Sequence, residues 1–296
     1  MKPVPARQLA RFAMAPTTDA TADESSMPGK TVGAAPDALF TLTAELGHAI
    51  CAGMTGRAGG VSQGPWASLN LGDHVGDDAA AVAANRARLA GALGVRPVYL
   101  RQVHGCTVVP IDRHTPDGVP ADACWTTDDQ VACTVLVADC LPLLFAAPGA
   151  ASVAAVHAGW RGLAGADGQG ILEALVQTWP AVRSAAARRA TVVWIGAGIG
   201  PRHFEVGPEV RAAFVGAHAD DADAFAPSPR DPERWLADLP ALARRRLRRL
   251  GFEHILGNDG TASWCTASQP SRFFSHRRDA VVFGSSGRMA AVIWRR

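Results

Sequence analysis

The sequence is short of cysteine, of long apolar runs and of any excess of one charge. Six cysteines in 296 residues are too sparse for the disulfide scaffolds that small secreted domains use in place of a large core. No unbroken apolar run approaches the roughly 18 residues a bilayer span needs, so no membrane-spanning protein is expected. Lysine and arginine total 29 against 27 aspartate and glutamate. That balance offers no basic field, and nucleic acid is not an expected partner. What the chain does have is apolar mass: 48% hydrophobic against 19% charged residues, enough to bury a full core.

Residues 1–38 stand apart. The stretch from Met14 to Asp37 is rich in Ala, Thr, Ser, Asp and Pro and lacks an apolar period. It is expected to be a flexible extension, because it cannot bury enough surface to offset its ordering entropy. Lys2, Arg7 and Arg11 are followed by acidic residues and not by an apolar segment of secretory length, so a cytoplasmic protein with reduced thiols is expected. Residues 39–296 contain no linker and no repeat, and are expected to form a single catalytic domain.

Strand-length apolar runs recur at Val98–Leu100, Cys133–Ala138, Leu143–Ala147, Ser152–Val156, Ala190–Ile195, Ala280–Phe283 and Ala290–Trp294. Several are continuous, which suits strands covered on both faces. Helical stripes lie between them. Asp77 or Asp78 caps a helix carrying Val82, Leu89 and Leu93 and stopped by Gly94; Ile171, Leu172, Leu175, Val176 and Trp179 precede Pro180; Pro208 opens a helix through Phe214; Leu239, Leu242, Leu247 and Leu250 precede Gly251. The mixture predicts an α/β (α+β) fold with helices covering sheet faces.

Reactive side chains gather where the apolar strands end. Arg101-Gln102-Val103-His104-Gly105 follows one run, Ala138-Asp139-Cys140 closes another, and His157-Ala158-Gly159-Trp160-Arg161-Gly162 closes a third. His104, Cys140 and His157 are too widely spaced for a zinc knuckle, so a sheet has to assemble them. Two imidazoles and one thiolate suit a borderline-soft divalent ion, zinc or copper, with a fourth position open. Other readings stay open. A histidine after a strand is commonly only a hydrogen-bonded polar residue, and a buried cysteine a small hydrophobe, the reading for Cys106, Cys124 and Cys133. A metal-free Cys140–His157 nucleophile pair is the chemical competitor.

Further motifs extend through most of the chain: Gly59-Gly60-Val61-Ser62, Ser68-Leu69-Asn70-Leu71-Gly72-Asp73-His74-Val75-Gly76-Asp77, Ala121-Asp122-Ala123, Ile199-Gly200-Pro201, Phe204-Glu205-Val206-Gly207, Phe273-Phe274-Ser275, Arg277-Arg278-Asp279 and Gly287-Arg288-Met289. With these the sequence resembles the laccase-domain, or multicopper polyphenol oxidoreductase-type, family, whose members are also called peptidoglycan editing factors and are regarded as purine nucleoside phosphorylases with adenosine deaminase activity. The resemblance implies an α/β/β/α sandwich like that of the toxin deamidase class of cysteine hydrolases. It implies His104, Cys140 and His157 as the catalytic, zinc-binding trio. It implies phosphorolysis of adenosine, inosine, guanosine and 5′-methylthioadenosine, and deamination of adenosine. Arg202-His203 departs from the small or cysteine residues many members carry in that loop, and no role is drawn from it.

Purine nucleoside and phosphate as substrates require an anion site and an activated water. Arg57, beside the Gly59-Gly60 turn, and Arg161, in a glycine-rich turn, are candidates for the anion; each is alternatively a surface or ion-paired residue. Asp122 or Asp139 is a candidate proton shuttle or a partner orienting a histidine. Asn70 and His74 are candidate pocket-lining residues. The run Arg244–Arg249 reads as the solvated face of an amphipathic helix in preference to a nucleic-acid patch. Gly196-Ala197-Gly198-Ile199-Gly200 reads as a tight turn lining the pocket. The eight tryptophans read as core, one of them available to stack on a purine. Three other functions compete. A copper-dependent polyphenol oxidase is disfavoured because a multicopper oxidase repeats His-x-His, and none of the nine histidines is so placed. A peptidoglycan-precursor editing hydrolase would use Cys140 as nucleophile. A non-catalytic binding protein would not need a Cys/His cluster.

Overall fold

The valine-, isoleucine- and alanine-rich runs form strands that alternate side chains between two buried layers. A computed structural model describes residues 39–296; the expected extension, residues 1–38, lies outside the described residues. One mixed sheet runs in the order β1 (Phe40–Thr43), β2 (Ile50–Thr55), β14 (Met289–Arg295), β6 (Val131–Val137) and β3 (Arg96–Tyr99). A second runs β13 (His254–Gly257), β9 (Val192–Ile195), β7 (Leu141–Ala146), β8 (Val153–Ala158), β5 (Ala123–Thr126) and β4 (Val108–Pro110). A small antiparallel ribbon orders β10 (Glu205–Val206), β12 (Trp235–Ala237) and β11 (Phe225–Pro227). Within the two large sheets, β3 pairs with β6, β9 with β13 and β4 with β5 in parallel; the other neighbours are antiparallel.

The period of two sets the layers. Along β14, Met289, Ala291 and Ile293 pack between the sheets, while Ala290, Val292 and Trp294 pack with Leu89 and Leu93 of helix α1 (Ala79–Leu93). Along β8, Val153 and Ala155 enter the inter-sheet layer, while Ala154 and Val156 pack with helices α3 (Ile171–Thr178), α5 (Pro208–Val215) and α6 (Leu239–Arg249). The succession is therefore helix, sheet, sheet, helices, a mixed α/β fold. Both faces of the central strands are dry, which is why their sequences read as continuous apolar runs. The remaining helices are α2 (Trp160–Ala164), α4 (Ala185–Ala190) and α7 (His276–Phe283). Among the described residues no helix is long and apolar enough to cross a membrane.

The helix punctuation is where the sequence places it. Asp78 caps α1 by accepting from Ala80 N–H at 3.2 Å, and Gly94 ends it at φ 71°. One expectation fails. Ala280–Phe283, expected as a strand, is the last turn of α7, which Ser275 caps by accepting from Arg278 N–H at 3.2 Å. Four apolar residues cannot reveal a period, and Val281, Val282 and Phe283 are 83%, 69% and 59% exposed. The solvated face expected over Arg244–Arg249 holds only in part: Arg248 and Arg249 are exposed, but the run is not uniformly solvated. Arg246 is 1% exposed and pairs with Glu173 of α3 at 2.7 Å. Arg249 pairs with Asp221 at 2.6 Å, and Arg244 donates to the carbonyls of Ile255, Gly257 and Asn258.

One connection positions the chemistry. The chain leaves the first large sheet at the end of β6, turns through Ala138-Asp139-Cys140, and enters the second as β7. Cys140 thus stands where the two sheets part.

Candidate functional site

Three separate elements deliver the cluster. His104 lies on the loop after β3, Cys140 on the crossing between sheets, and His157 near the end of β8, paired across to Pro142 of β7. Their ligand atoms all lie within 4.8 Å of one another. Cys140 Sγ is 3.8 Å from His104 Nε2, and the two imidazole rings meet edge to face at 4.8 Å between centroids.

Asp122, just before β5, organises both histidines. Its Oδ1 lies 2.8 Å from His157 Nδ1, which leaves His157 Nε2 for the cluster. The same carboxylate accepts from the backbone N–H groups of Val103, His104 and Gly105 at 3.2, 2.9 and 2.8 Å. Those bonds hold His104 at φ 60°, a left-handed conformation that a non-glycine residue keeps only under such restraint. Asp139, at φ 93°, is held by Thr266 Oγ1 at 2.5 Å and by Arg277 N–H at 2.7 Å. Gly159 is required by space: a Cβ there would stand 3.0 Å from both Cys140 Sγ and His104 Cδ2.

These contacts set the charges. Burial pushes the Cys140 thiol up, but the facing His157 and the hydrogen bond with His104 outweigh it and bring the thiol down to about 6. Burial disfavours the His157 imidazolium, but Cys140 on one side and Asp122 on the other outweigh it and raise His157 to about 9. Burial likewise pushes the Asp122 carboxyl up, and the hydrogen bonds from His157, Gly105 and Val103 hold it below its usual range. The metal-free cluster is therefore a thiolate–imidazolium pair backed by a carboxylate. The donor set, two imidazole nitrogens and one readily ionised sulfur converging on one point, fits a divalent metal ion.

The trio borders a cavity of about 440 Å³ that is also lined by His74, Trp160, Arg161, Phe204, Arg277 and Arg288, within the range of small-molecule sites. Of the residues singled out from sequence, the structure brings His74, His104, Asp139, Cys140, His157 and Arg161 to this cavity and sets Asp122 behind His157. Arg161 is exposed at the edge, its guanidinium stacked on the Trp160 ring at 4.6 Å. Ile199, in the glycine-rich turn, lines the wall as that turn was expected to. Arg57 and Asn70 do not line the cavity. Arg57 donates to the carbonyls of Ala67 and Pro270 and stacks over Phe274 at 4.8 Å, so its donors are engaged in holding loops together, away from the cavity. Asn70 is fully buried, and its amide bonds to Gly72, Asp77 and the Arg288 backbone. Sequence reasoning missed Arg288, Arg277, His276 and Phe204 as lining residues. Each lies inside a motif that carried the resemblance or next to one, but nothing local distinguishes their direction. All six cysteines are free thiols.

Residues 51–296 match the family described as multi-copper polyphenol oxidoreductase laccase. A Pseudomonas aeruginosa protein named purine nucleoside phosphorylase is 48% identical over 242 residues, covering 81% of this chain and 91% of the relative. The Escherichia coli purine nucleoside phosphorylase YfiH is 43% identical over 240 residues, 80% of this chain and 90% of the relative. Among solved structures, Neisseria meningitidis protein NMB0706 superposes with a TM-score of 0.74 at 40% identity, covering 87% of this chain and 99% of that one. YlmD from Geobacillus stearothermophilus superposes with a TM-score of 0.72 at 33% identity, over 87% and 99% of the two chains.

Proposed function

The chain belongs to the multi-copper polyphenol oxidoreductase laccase family, and from that premise we propose that it is a zinc-dependent purine nucleoside phosphorylase with adenosine deaminase activity. Its proposed substrates are adenosine, inosine, guanosine and 5′-methylthioadenosine. The carrying observation is the convergence of His104, Cys140 and His157 on one wall of a nucleoside-sized cavity. Relatives named purine nucleoside phosphorylase over four-fifths of the chain support the choice of reaction. Residues 39–296 act as the catalytic domain. A cytoplasmic location fits six unpaired thiols.

The three side chains would hold the metal, with Asp122 fixing the His157 tautomer and so aiming Nε2. A bound zinc ion supplies a Lewis acid with one position left for water or substrate. The protein's own groups do the rest. Trp160 and Phe204 offer faces for a purine to stack on. Arg161 brings a cation to the rim. Asp122 already accepts from Val103, His104, Gly105 and His157, and Asp139 from Thr266 and Arg277, bonds that support orienting roles in preference to proton shuttling.

One second reading has an observation of its own. Cys140, held near 6 by His157 and His104, is a ready nucleophile, as a peptidoglycan-precursor editing cysteine hydrolase requires. The helix–sheet–sheet–helix layering is compatible with the toxin deamidase-like class. Copper phenol oxidation is less well supported: among the described residues, one cluster of three ligands is found, and multicopper chemistry needs several.

Incubating the protein with each nucleoside and phosphate, after chelation and after zinc return, tests the proposal. Ribose 1-phosphate with free purine, and inosine from adenosine, are expected only with metal. His104→Ala, Cys140→Ala and His157→Ala should each abolish both activities while the fold survives. Normal phosphorolysis by Cys140→Ala sinks the assignment. Release of L-serine from a wrongly charged precursor would favour the hydrolase reading.

A further inference from the structure

Arg288 enters the cavity wall with its backbone fastened and part of its guanidinium free. Its N–H donates to Asn70 Oδ1 at 2.8 Å, and its carbonyl accepts from Leu71 N–H at 3.0 Å. Nη1 donates to the carbonyls of Ser286 and Gly287 at 2.8 and 3.2 Å. Among the described residues no carboxylate pairs with this guanidinium, and Nε and Nη2 make no hydrogen bond within the protein.

The loop that receives Arg288 is cut to fit it. A Cβ at Gly72 would stand 2.7 Å from Arg288 Cγ and 3.1 Å from its Cβ, the rigid root of the side chain. Asn70, which takes the Arg288 N–H, is itself locked: its Nδ2 donates to Gly72 O at 3.0 Å and to Asp77 Oδ2 at 2.8 Å, and its Oδ1 also accepts from Gly72 N–H at 2.9 Å. Two segments 218 residues apart are therefore shaped around one cation. The other cavity arginines are less prepared. Arg277 Nη1 donates to the His203 and Glu205 carbonyls, and Arg161 is exposed on Trp160.

A guanidinium clamped at one nitrogen, with no ion-paired carboxylate and with Nε and Nη2 unbonded at a cavity wall, is preorganised for an oxyanion. We propose that Arg288 binds the phosphate consumed by the reaction, and that Asn70 and Gly72 are positioning residues that hold it there. This rests on the phosphorolysis reading. In that reaction an oxygen of hydrogen phosphate bonds to the ribose C1′ as the bond from C1′ to the purine nitrogen breaks. The bonding electrons leave with the purine, and the phosphate proton passes to it. Arg288 balances the incoming charge throughout.

The test compares metal-loaded wild type, Arg288→Gln, Arg288→Lys and Gly72→Ala in two ways: steady-state phosphorolysis at varied phosphate and varied nucleoside, and calorimetric titration of inorganic phosphate alone. Losing a charged hydrogen-bond donor should raise the phosphate KM of Arg288→Gln about tenfold or more. Its nucleoside KM should stay within about twofold, because uniform damage to the site would move both. Calorimetric phosphate binding should weaken in parallel. Arg288→Lys should recover part of the loss, keeping the charge without the fork. Gly72→Ala should shift phosphate KM in the same direction with Arg288 intact. Unchanged phosphate binding in folded Arg288→Gln overturns the assignment; if that variant does not fold, unchanged phosphate binding in both Arg288→Lys and Gly72→Ala overturns it. If the wild type cleaves no nucleoside, the phosphorylase reading falls, while the phosphate titration still decides Arg288: binding lost in Arg288→Gln upholds an anion site, and no binding by the wild type refutes it.

Discussion

Asp122 grips His157 Nδ1 at 2.8 Å and, with the same two oxygens, takes three successive backbone N–H groups around His104. One carboxylate therefore aims one imidazole of the cluster and shapes the loop that carries the other. Histidine ligands depend on such partners for tautomer and direction.

Asp122→Asn should weaken binding of the proposed zinc ion about 10- to 100-fold, the usual penalty for removing a ligand's orienting partner. Competition with a chromophoric chelator measures it. Unchanged affinity would show that His157 is aimed by packing alone.

Gly159→Ala should empty the site without unfolding the protein. The added methyl would meet Cys140 Sγ and His104 Cδ2 at 3.0 Å, closer than carbon and sulfur pack. Metal content by elemental analysis should fall with activity, while the far-ultraviolet circular dichroism stays that of the wild type.

In metal-free protein, Cys140 should react with iodoacetamide as a thiolate of depressed pKa. The folded value lies below the ordinary thiol value of about 8.5, so reactivity is present above about 6 and is lost as the pH falls through it. Peptide mass mapping across pH 4 to 9 separates Cys140 from the other thiols. A midpoint near the ordinary value would mean that His157 and His104 do not stabilise the thiolate.

Glu173→Ala should destabilise the fold by about 3–5 kcal/mol, because it strands a buried guanidinium without its counter-charge. Arg246 is 1% exposed, and Glu173 also accepts from Gly170 N–H at 2.8 Å. Urea unfolding checks this, and a loss below about 1 kcal/mol would place the pair with surface salt bridges.

Much of the fold could be read from the chain. Asp78 and Gly94 bracket α1 because a short polar cap and a left-handed glycine are local requirements. The apolar runs of β6, β8 and β14 announce strands because both faces of each are dry. Short or mixed segments could not be read: Val281-Val282-Phe283 is too brief to show a period. The arginines show the limit most clearly. Arg57, Arg246 and Arg288 look alike in sequence, yet one ties loops together, one neutralises Glu173 in the core, and one opens into the cavity.

By itself, then, the sequence determined the alternation of strands and helices and the ends of the longer helices, and it offered His104, Cys140 and His157 as candidates at strand ends. Those properties follow from neighbours along the chain. Only the tertiary structure decided that the three converge at the parting of two sheets, that Asp122 serves both histidines, and that Asn70 and Gly72 face Arg288. Direction and distance between remote residues depend on strand pairing and sheet packing. Those are satisfied by the whole chain at once, and no local stretch encodes them.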